Sequence, residues 1–269
     1  MGEIMRICSL SSGSKGNAIF VESEKTKLLV DCGHSGKFIE LLLNSIGEEA
    51  KNLNAIFVTH EHVDHIKGVG VLSRRYNLPI IANEKTWIAM KPMIGKIEAK
   101  NIMAFKSNTF FSFRDLDVHA ISTHHDAVDP VAYIFYQKNQ KISIMTDTGI
   151  VTPVMADAIR GSNVYLLEAN HDVDMLLKGP YPYSLKQRIL SEHGHLSNEM
   201  AKYTLEDVLE GKNEKIILGH LSDENNLEEL AFSDVNKHLI DLGLDVGKDV
   251  ELGVAPKLQA DRIIDLKEI

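Results

Sequence analysis

Residues 57–68 read Phe57-Val58-Thr59-His60-Glu61-His62-Val63-Asp64-His65-Ile66-Lys67-Gly68. Four side chains of metal-ligand type, His60, His62, Asp64 and His65, fall within six residues, directly after the apolar run Ala55–Val58. Packing alone does not call for that density of imidazole and carboxylate. Imidazole suits zinc and its first-row neighbours, and carboxylate widens the choice towards manganese or iron. The apolar run has the length of a buried strand. The cluster therefore sits in a turn at its C-terminal end, the edge of layered α/β proteins that usually carries chemistry. His60 and His62 can converge on one position there. Asp64 and His65 serve a second, because neighbouring side chains diverge.

The same logic recurs downstream. His124 and His125 follow the strand-like run Asp117–Ser122, Asp147 follows Ile142–Thr146, and His220 follows Ile216–Leu218. Spacing leaves His124 and His125 interchangeable, since an alternating chain points one inward and the other away. One metal position then takes His60, His62 and one of that pair, and the other takes Asp64, His65 and His220. Asp147 can bridge, because a carboxylate offers two oxygens. Two such ions, about 3.5–4 Å apart, activate a shared water and clamp attacking and leaving oxygens. Asp64 accordingly counts with the catalytic residues as well as with the ligands. Glu168 ends the run Val164–Leu167, and His195 lies in Ser191-Glu192-His193-Gly194-His195. A carboxylate on one ring nitrogen keeps an imidazolium available as a proton donor. Lys186 and Arg188, after Tyr181 and Tyr183, are candidates for flanking phosphates, with the tyrosines as candidates for stacking on a base. Ser12 and Asn17, in a turn of small residues, are candidate hydrogen-bond donors to substrate.

The 269-residue chain is long enough for a substantial core, and we read it as one domain over 1–269, two sheets inside and helices outside. A net charge of −9 argues against a broad nucleic-acid-binding surface but not against a nuclease, because bound cations reverse the field inside the site. No apolar run is long enough to span a membrane. Met1-Gly2 is not followed by a lipidation pattern. Cys8 and Cys32 read as two buried thiols, which favours the cytoplasm. Residues 172–188 are expected to form a loop, and Val250–Gly253 the last, edge strand.

The stretch from His60 to His65 matches the HxHxDH motif of the metallo-β-lactamase fold superfamily. The chain more closely resembles that superfamily's small bacterial nuclease-like branch, often encoded beside a two-component system controlling cell-wall metabolism. The resemblance rests on LSSGSKGN (10–17), VDCG (30–33), THEHVDHIKG (59–68), HHDAVDPVAY (124–133), MTDTG (145–149), LLEANHD (166–172), SEHGHLSN (191–198) and LGHLSDENN (218–226). It implies a four-layer αββα sandwich. It implies two divalent ions, Zn or Mn, without an organic cofactor, and it selects His125 over His124. By similarity to the tRNA 3′-processing nucleases of the superfamily, Asp147 bridges, His220 is the last ligand, and Glu168 with His195 serves the leaving group. The implied substrate is nucleic acid, DNA ahead of RNA, and the most specific implied activity is a double-strand DNA exonuclease working 5′ to 3′. The alternative is a small-molecule metallohydrolase acting on a thioester, lactone or cyclic phosphodiester. His62 stands where the diiron flavoprotein branch carries Glu. The segment from Asp147 to His220 is too short for the inserted domain of larger RNA-processing members.

Overall fold

The computed structural model describes residues 5–266, so Met1-Gly2 lies outside the described residues. Strands β1 (Arg6–Ser11), β2 (Ala18–Glu22), β3 (Lys27–Val30), β4 (Ala55–Phe57), β5 (Ile80–Asn83) and β6 (Ile102–Phe105) lie side by side in one sheet. Strands β7 (Thr109–Phe113), β8 (Leu116–Ser122), β9 (Val131–Gln137), β10 (Gln140–Met145), β11 (Val164–Glu168), β12 (Glu214–Gly219) and β13 (Val250–Val254) form the second. Each sheet begins with antiparallel neighbours, β1 to β3 and β7 to β10. Each then continues with parallel ones, β3 to β6 and β10 to β13.

Both faces of most strands are apolar, and consecutive residues go to opposite layers. Ile7, Val21, Leu28 and Phe57 meet Val118, Tyr133, Phe135 and Leu166 between the sheets. Their neighbours Cys8, Phe20, Leu29 and Ile56 pack under helices α1 (Gly36–Ser45), α2 (Val63–Ile66), α3 (Val69–Tyr76) and α4 (Glu84–Ile94). On the far side, Ile134, Tyr165, Leu167 and Leu218 lie in a third apolar layer. That layer also takes Met155 of α5 (Pro153–Ile159), and it is covered further along the chain by two long helices. Three apolar layers separate four structural ones, which is the αββα sandwich.

Two expectations are corrected. Residues 172–188 are not a loop but carry helices α6 (Val173–Lys178) and α7 (Tyr183–Ile189). Asp172 caps α6 by accepting from Met175 N at 2.7 Å, and the break at Gly179-Pro180 hides both helices from a periodicity reading because each is under two turns long. Val250–Val254 is an edge strand but not the last one, since β14 (Ile264–Asp265) returns to pair with β1. The two covering helices are α8 (Asn198–Val208), with Ser197 as its cap, and α9 (Glu228–Asp241). Parallel order leaves the C-terminal ends of β3 and β4 at one edge of the first sheet, and those of β10, β11 and β12 at one edge of the second. The candidate residues occupy those ends.

Candidate metal centre

The end of β4 is pinned before its chemistry begins. Phe57 packs edge-on against Phe113, Tyr133 and Phe135, with ring centroids 5.6, 5.3 and 5.5 Å away. Tyr133 donates its hydroxyl to Val58 O at 2.8 Å, and Val131 N donates to Thr59 O at 3.1 Å. Both bonds come from the other sheet, so the two halves hold the His60 turn jointly. The chain then enters α2, which carries Asp64 and His65. A Cβ on Gly33 would lie 1.7 Å from Asp64 O. Asn17 N donates to that same carbonyl, and Gly33 N donates to Asn17 O, both at 2.8 Å. The turns at 12–17 and 31–33 and the short helix α2 thus interlock through backbone contacts that only glycine permits.

Three overlapping sets of donor atoms converge: His60, His62 and His125; His60, His65 and Asp147; and Asp147, Glu168, His195 and His220, each within 4.8 Å. Asp64 sits at the rim, its Oδ2 3.5 Å from His65 Nε2. His125 is the inward member of its pair, with Nε2 3.3 Å from His62 Nδ1. His124 stacks instead on His193, centroids 5.8 Å apart. Asp147 lies at the centre, 3.4 Å from His65 Nε2 through one oxygen, and 3.8 and 3.3 Å from His125 Nε2 and His220 Nε2 through the other. Asp31, Asp147 and His220 all adopt the left-handed backbone conformation, with φ of 63°, 58° and 54°. Asp, Asn and His tolerate it better than other side chains, yet it still costs about 1–3 kcal/mol, a strain typical of functional sites.

Four of the imidazoles are oriented by a bond at Nδ1. His65 donates Nδ1–H to Asp31 Oδ2 at 2.7 Å. Asp31 also accepts from Thr59 N and the Thr59 hydroxyl at 2.9 and 2.8 Å. The Thr59 oxygen in turn faces His60 Nδ1 at 3.0 Å. His125 donates Nδ1–H to Gly194 O at 3.0 Å, and His220 pairs through Nδ1 with Asn17 Oδ1 at 3.2 Å. Nε2 of each of these four rings faces the cluster, and that of His65 also meets Asn17 Nδ2 at 3.0 Å. Carboxylate and carbonyl partners of this kind fix the tautomer and sharpen a metal-binding imidazole.

Electrostatics favour a cation. Burial, reinforced by neighbouring imidazoles, holds His60, His62 and His220 below the ordinary histidine pKa, so their lone pairs stay free. Burial opposes a charged Asp147, but His220, His65 and their neighbours outweigh it and keep the carboxyl well below its usual range. Burial likewise opposes a charged His65, but Asp147, Asp31 and Asp64 lift it well above the ordinary value. These carboxylates call for positive charge, which a divalent ion supplies in place of a proton. His60 Nε2 and Asp147 Oδ2 are buried without a hydrogen-bond partner, which a cation would satisfy. The donor set fits two divalent ions of the Zn or Mn kind.

Glu168 is fully buried and accepts three times. Its Oε1 takes His195 Nδ1–H at 2.7 Å, and its Oε2 takes Thr148 N and Leu196 N at 2.9 and 3.3 Å. Burial opposes protonation of His195, but Glu168 prevails and raises the ring's pKa to about 9. The remaining candidates separate. Ser12 Oγ accepts from His220 N at 2.8 Å, and Asn17 braces His220 and His65, so both face the donors from behind. Lys186 donates Nζ–H to Leu177 O and Gly179 O at 2.7 and 2.8 Å, closing the end of α6. Arg188 is paired through Nε with Asp126 and stays half-exposed. Sequence reasoning assigned no role to Asp31 or Asp126. Asp31 lies in the VDCG stretch, and its position at the end of a strand was the available signal.

The sequence profile of the metallo-beta-lactamase superfamily matches residues 12–220, the span that carries every donor described above. The chain belongs to the metallo-beta-lactamase superfamily. Within it, the chain is 44% identical over 243 residues to exodeoxyribonuclease YycJ of Bacillus anthracis, covering 90% of this chain and 92% of that one. It is 44% identical over 245 residues to exodeoxyribonuclease WalJ of Streptococcus pneumoniae, covering 90% and 91%. Among solved structures, the superfamily protein YhfI of Bacillus subtilis superposes with a TM-score of 0.71 at 15% identity, covering 97% of this chain and 99% of that one. Yeast PDE1 superposes with 0.71 at 13% identity, covering 96% and 99%. At these identities the two structures speak for the metallo-beta-lactamase fold alone. The fold, the donor clusters and the membership together make this a metal-dependent hydrolase. Among the described residues, no helix is long and apolar enough to cross a membrane.

Proposed function

We propose that this chain hydrolyses phosphodiester bonds of nucleic acid, and that its specific reaction is the degradation of double-stranded DNA from a 5′ end. The observation that carries the reading is the buried Glu168–His195 pair set beside the donor cluster, in a chain 44% identical to relatives named exodeoxyribonucleases. His60, His62 and His125 would hold one divalent ion, and Asp64, His65 and His220 the other, with Asp147 shared. Bound ions acidify a water and neutralise charge on a phosphate.

The rest is the work of the chain's own side chains. Glu168 takes Nδ1–H of His195, so the proton available for transfer sits on Nε2. That nitrogen gives it to the oxygen that departs from phosphorus, which in attack from a 5′ end is the 3′ oxygen of the terminal nucleotide. Thr148 N and Leu196 N hold Glu168 against rotation. The bond from His125 to Gly194 O ties the proton donor's loop to the cluster, so donor and metal ligands keep register. Arg188 is the cation we assign to a substrate phosphate, and the bracing roles of Ser12 and Asn17 replace direct substrate contact. The apolar layer shared by both sheets supports one domain over 1–269. The two free, buried thiols support a cytoplasmic site of action.

The test is digestion of duplex DNA labelled at either the 5′ or the 3′ end, with single-stranded DNA, RNA and a thioester as competitors. Mononucleotides should appear first from the 5′ end, and a chelator should abolish them. Internal fragments, or faster turnover of the thioester, would overturn the reading.

A further inference from the structure

Beside the donor cluster lies a cleft of about 240 Å³. His195 and His125 line it together with Tyr181, Leu185, Arg188 and Ile189. We propose that this cleft receives a single, unpaired nucleoside, the one that carries the leaving oxygen, so that a duplex end must open before it is cut. The proposal rests on the nuclease reading above and adds the form of the substrate.

Three observations lead there. His195 lines the cleft, and the group that accepts its proton must lie on the side His195 faces. At about 240 Å³ the cleft falls below the roughly 300–1,000 Å³ of pockets that enclose drug-sized ligands, which favours one nucleoside over a base pair as its occupant. Its lining matches that occupant. Tyr181 offers an aromatic face for a base, and Leu185 and Ile189 add aliphatic surface. Tyr183, 77% exposed, does not line it. Arg188 stands where the cleft meets the cluster, because Asp126 holds its Nε while the other Asp126 oxygen lies 3.4 Å from His125 Nε2. The guanidinium is thereby pre-placed, and its two terminal NH2 groups are left for a phosphate oxygen. A base taken into such a cleft must first leave its partner and its stack, which is easiest at a mismatched end.

The experiment uses metal-loaded protein and blunt duplexes that differ only in the 5′-terminal pair: G·C, A·T or a mismatch. Initial rates should rise several-fold along that series. In parallel, binding of deoxyadenosine monophosphate and of inorganic phosphate is measured by calorimetry. Tyr181→Ala should weaken the nucleotide about tenfold and leave inorganic phosphate unchanged, while Tyr181→Phe restores the nucleotide. Equal rates on the three ends, or nucleotide binding indifferent to Tyr181→Ala, would each overturn the proposal. Wild-type protein that cuts no nucleic acid would defeat the nuclease reading instead, and the calorimetry would still decide whether the cleft takes a nucleotide.

Discussion

The Asp31 carboxylate and the His65 imidazole meet at 2.7 Å, both of them buried. Asp31 accepts the hydrogen bond from Nδ1–H and turns Nε2 of His65 towards Asp147. The same carboxylate holds Thr59, which faces His60. One side chain, itself outside the donor clusters, therefore orients one ring directly and a second through a hydroxyl.

Asp31→Asn should lower metal affinity about 10–100-fold, the usual consequence of losing such a partner. Competition with a chromophoric chelator measures it. Unchanged affinity would leave Asp31 a merely structural residue.

Asp147→Ala should cost more metal than loss of any one histidine. Its two oxygens approach four imidazoles, those of His65, His125, His195 and His220, and without it two nearby cations would repel each other unshielded. Metal analysis of the purified variants tests this. Wild-type occupancy in Asp147→Ala would show that the carboxylate does not bridge.

His195→Ala should lower turnover by about 10²–10⁴-fold with metal content intact, as expected for loss of a general acid. Glu168→Gln should give a smaller defect of the same kind. On a nitrophenyl phosphodiester, whose leaving group needs no proton, the His195→Ala defect should shrink. A defect of equal size on both substrates would remove the residue from proton transfer, and loss of metal would make it a ligand.

Gly33→Ala should disrupt metal binding although Gly33 offers no donor. The added methyl cannot fit 1.7 Å from Asp64 O, so α2 must shift and take Asp64 and His65 with it. A variant that keeps wild-type metal affinity would show that the loop yields freely.

Alkaline stability should depend on Cys8. Burial, with Asp261 nearby, pushes its thiol from 9.0 up to about 12. Above pH 9 the unfolded chain loses this proton while the folded one keeps it, so stability falls as pH rises towards 12. Urea unfolding between pH 8 and 10.5 should show that slope reduced in Cys8→Ala, after allowance for a pH-independent loss from the missing sulfur. An identical slope would assign the alkaline loss to other groups, such as Tyr165, which burial also raises to about 12.

The donor segments at 60–65, 125, 147 and 220 were legible in the chain because their signal is local. A run of apolar residues followed by imidazole or carboxylate states both where a strand ends and what chemistry stands there. Capping is local in the same way: Ser35 and Ser197 accept from the backbone N–H of Phe38 and Met200, three residues on, at the starts of α1 and α8. Packing decided what depends on residues far apart. Asp31 meets His65 across 34 positions, Asn17 meets His220 across 203, and Gly194 meets His125 across 69. Spacing along a chain carries no record of such partners. That is why Ser12 and Asn17, candidate substrate contacts in sequence, lie hydrogen-bonded to His220 and His65 in the fold, and why Lys186, a free cation in sequence, closes α6. His125 and His124 are equivalent as neighbours. Only the folded strand end, with Gly194 O waiting on one side and His193 on the other, sends the first into the cluster and the second away.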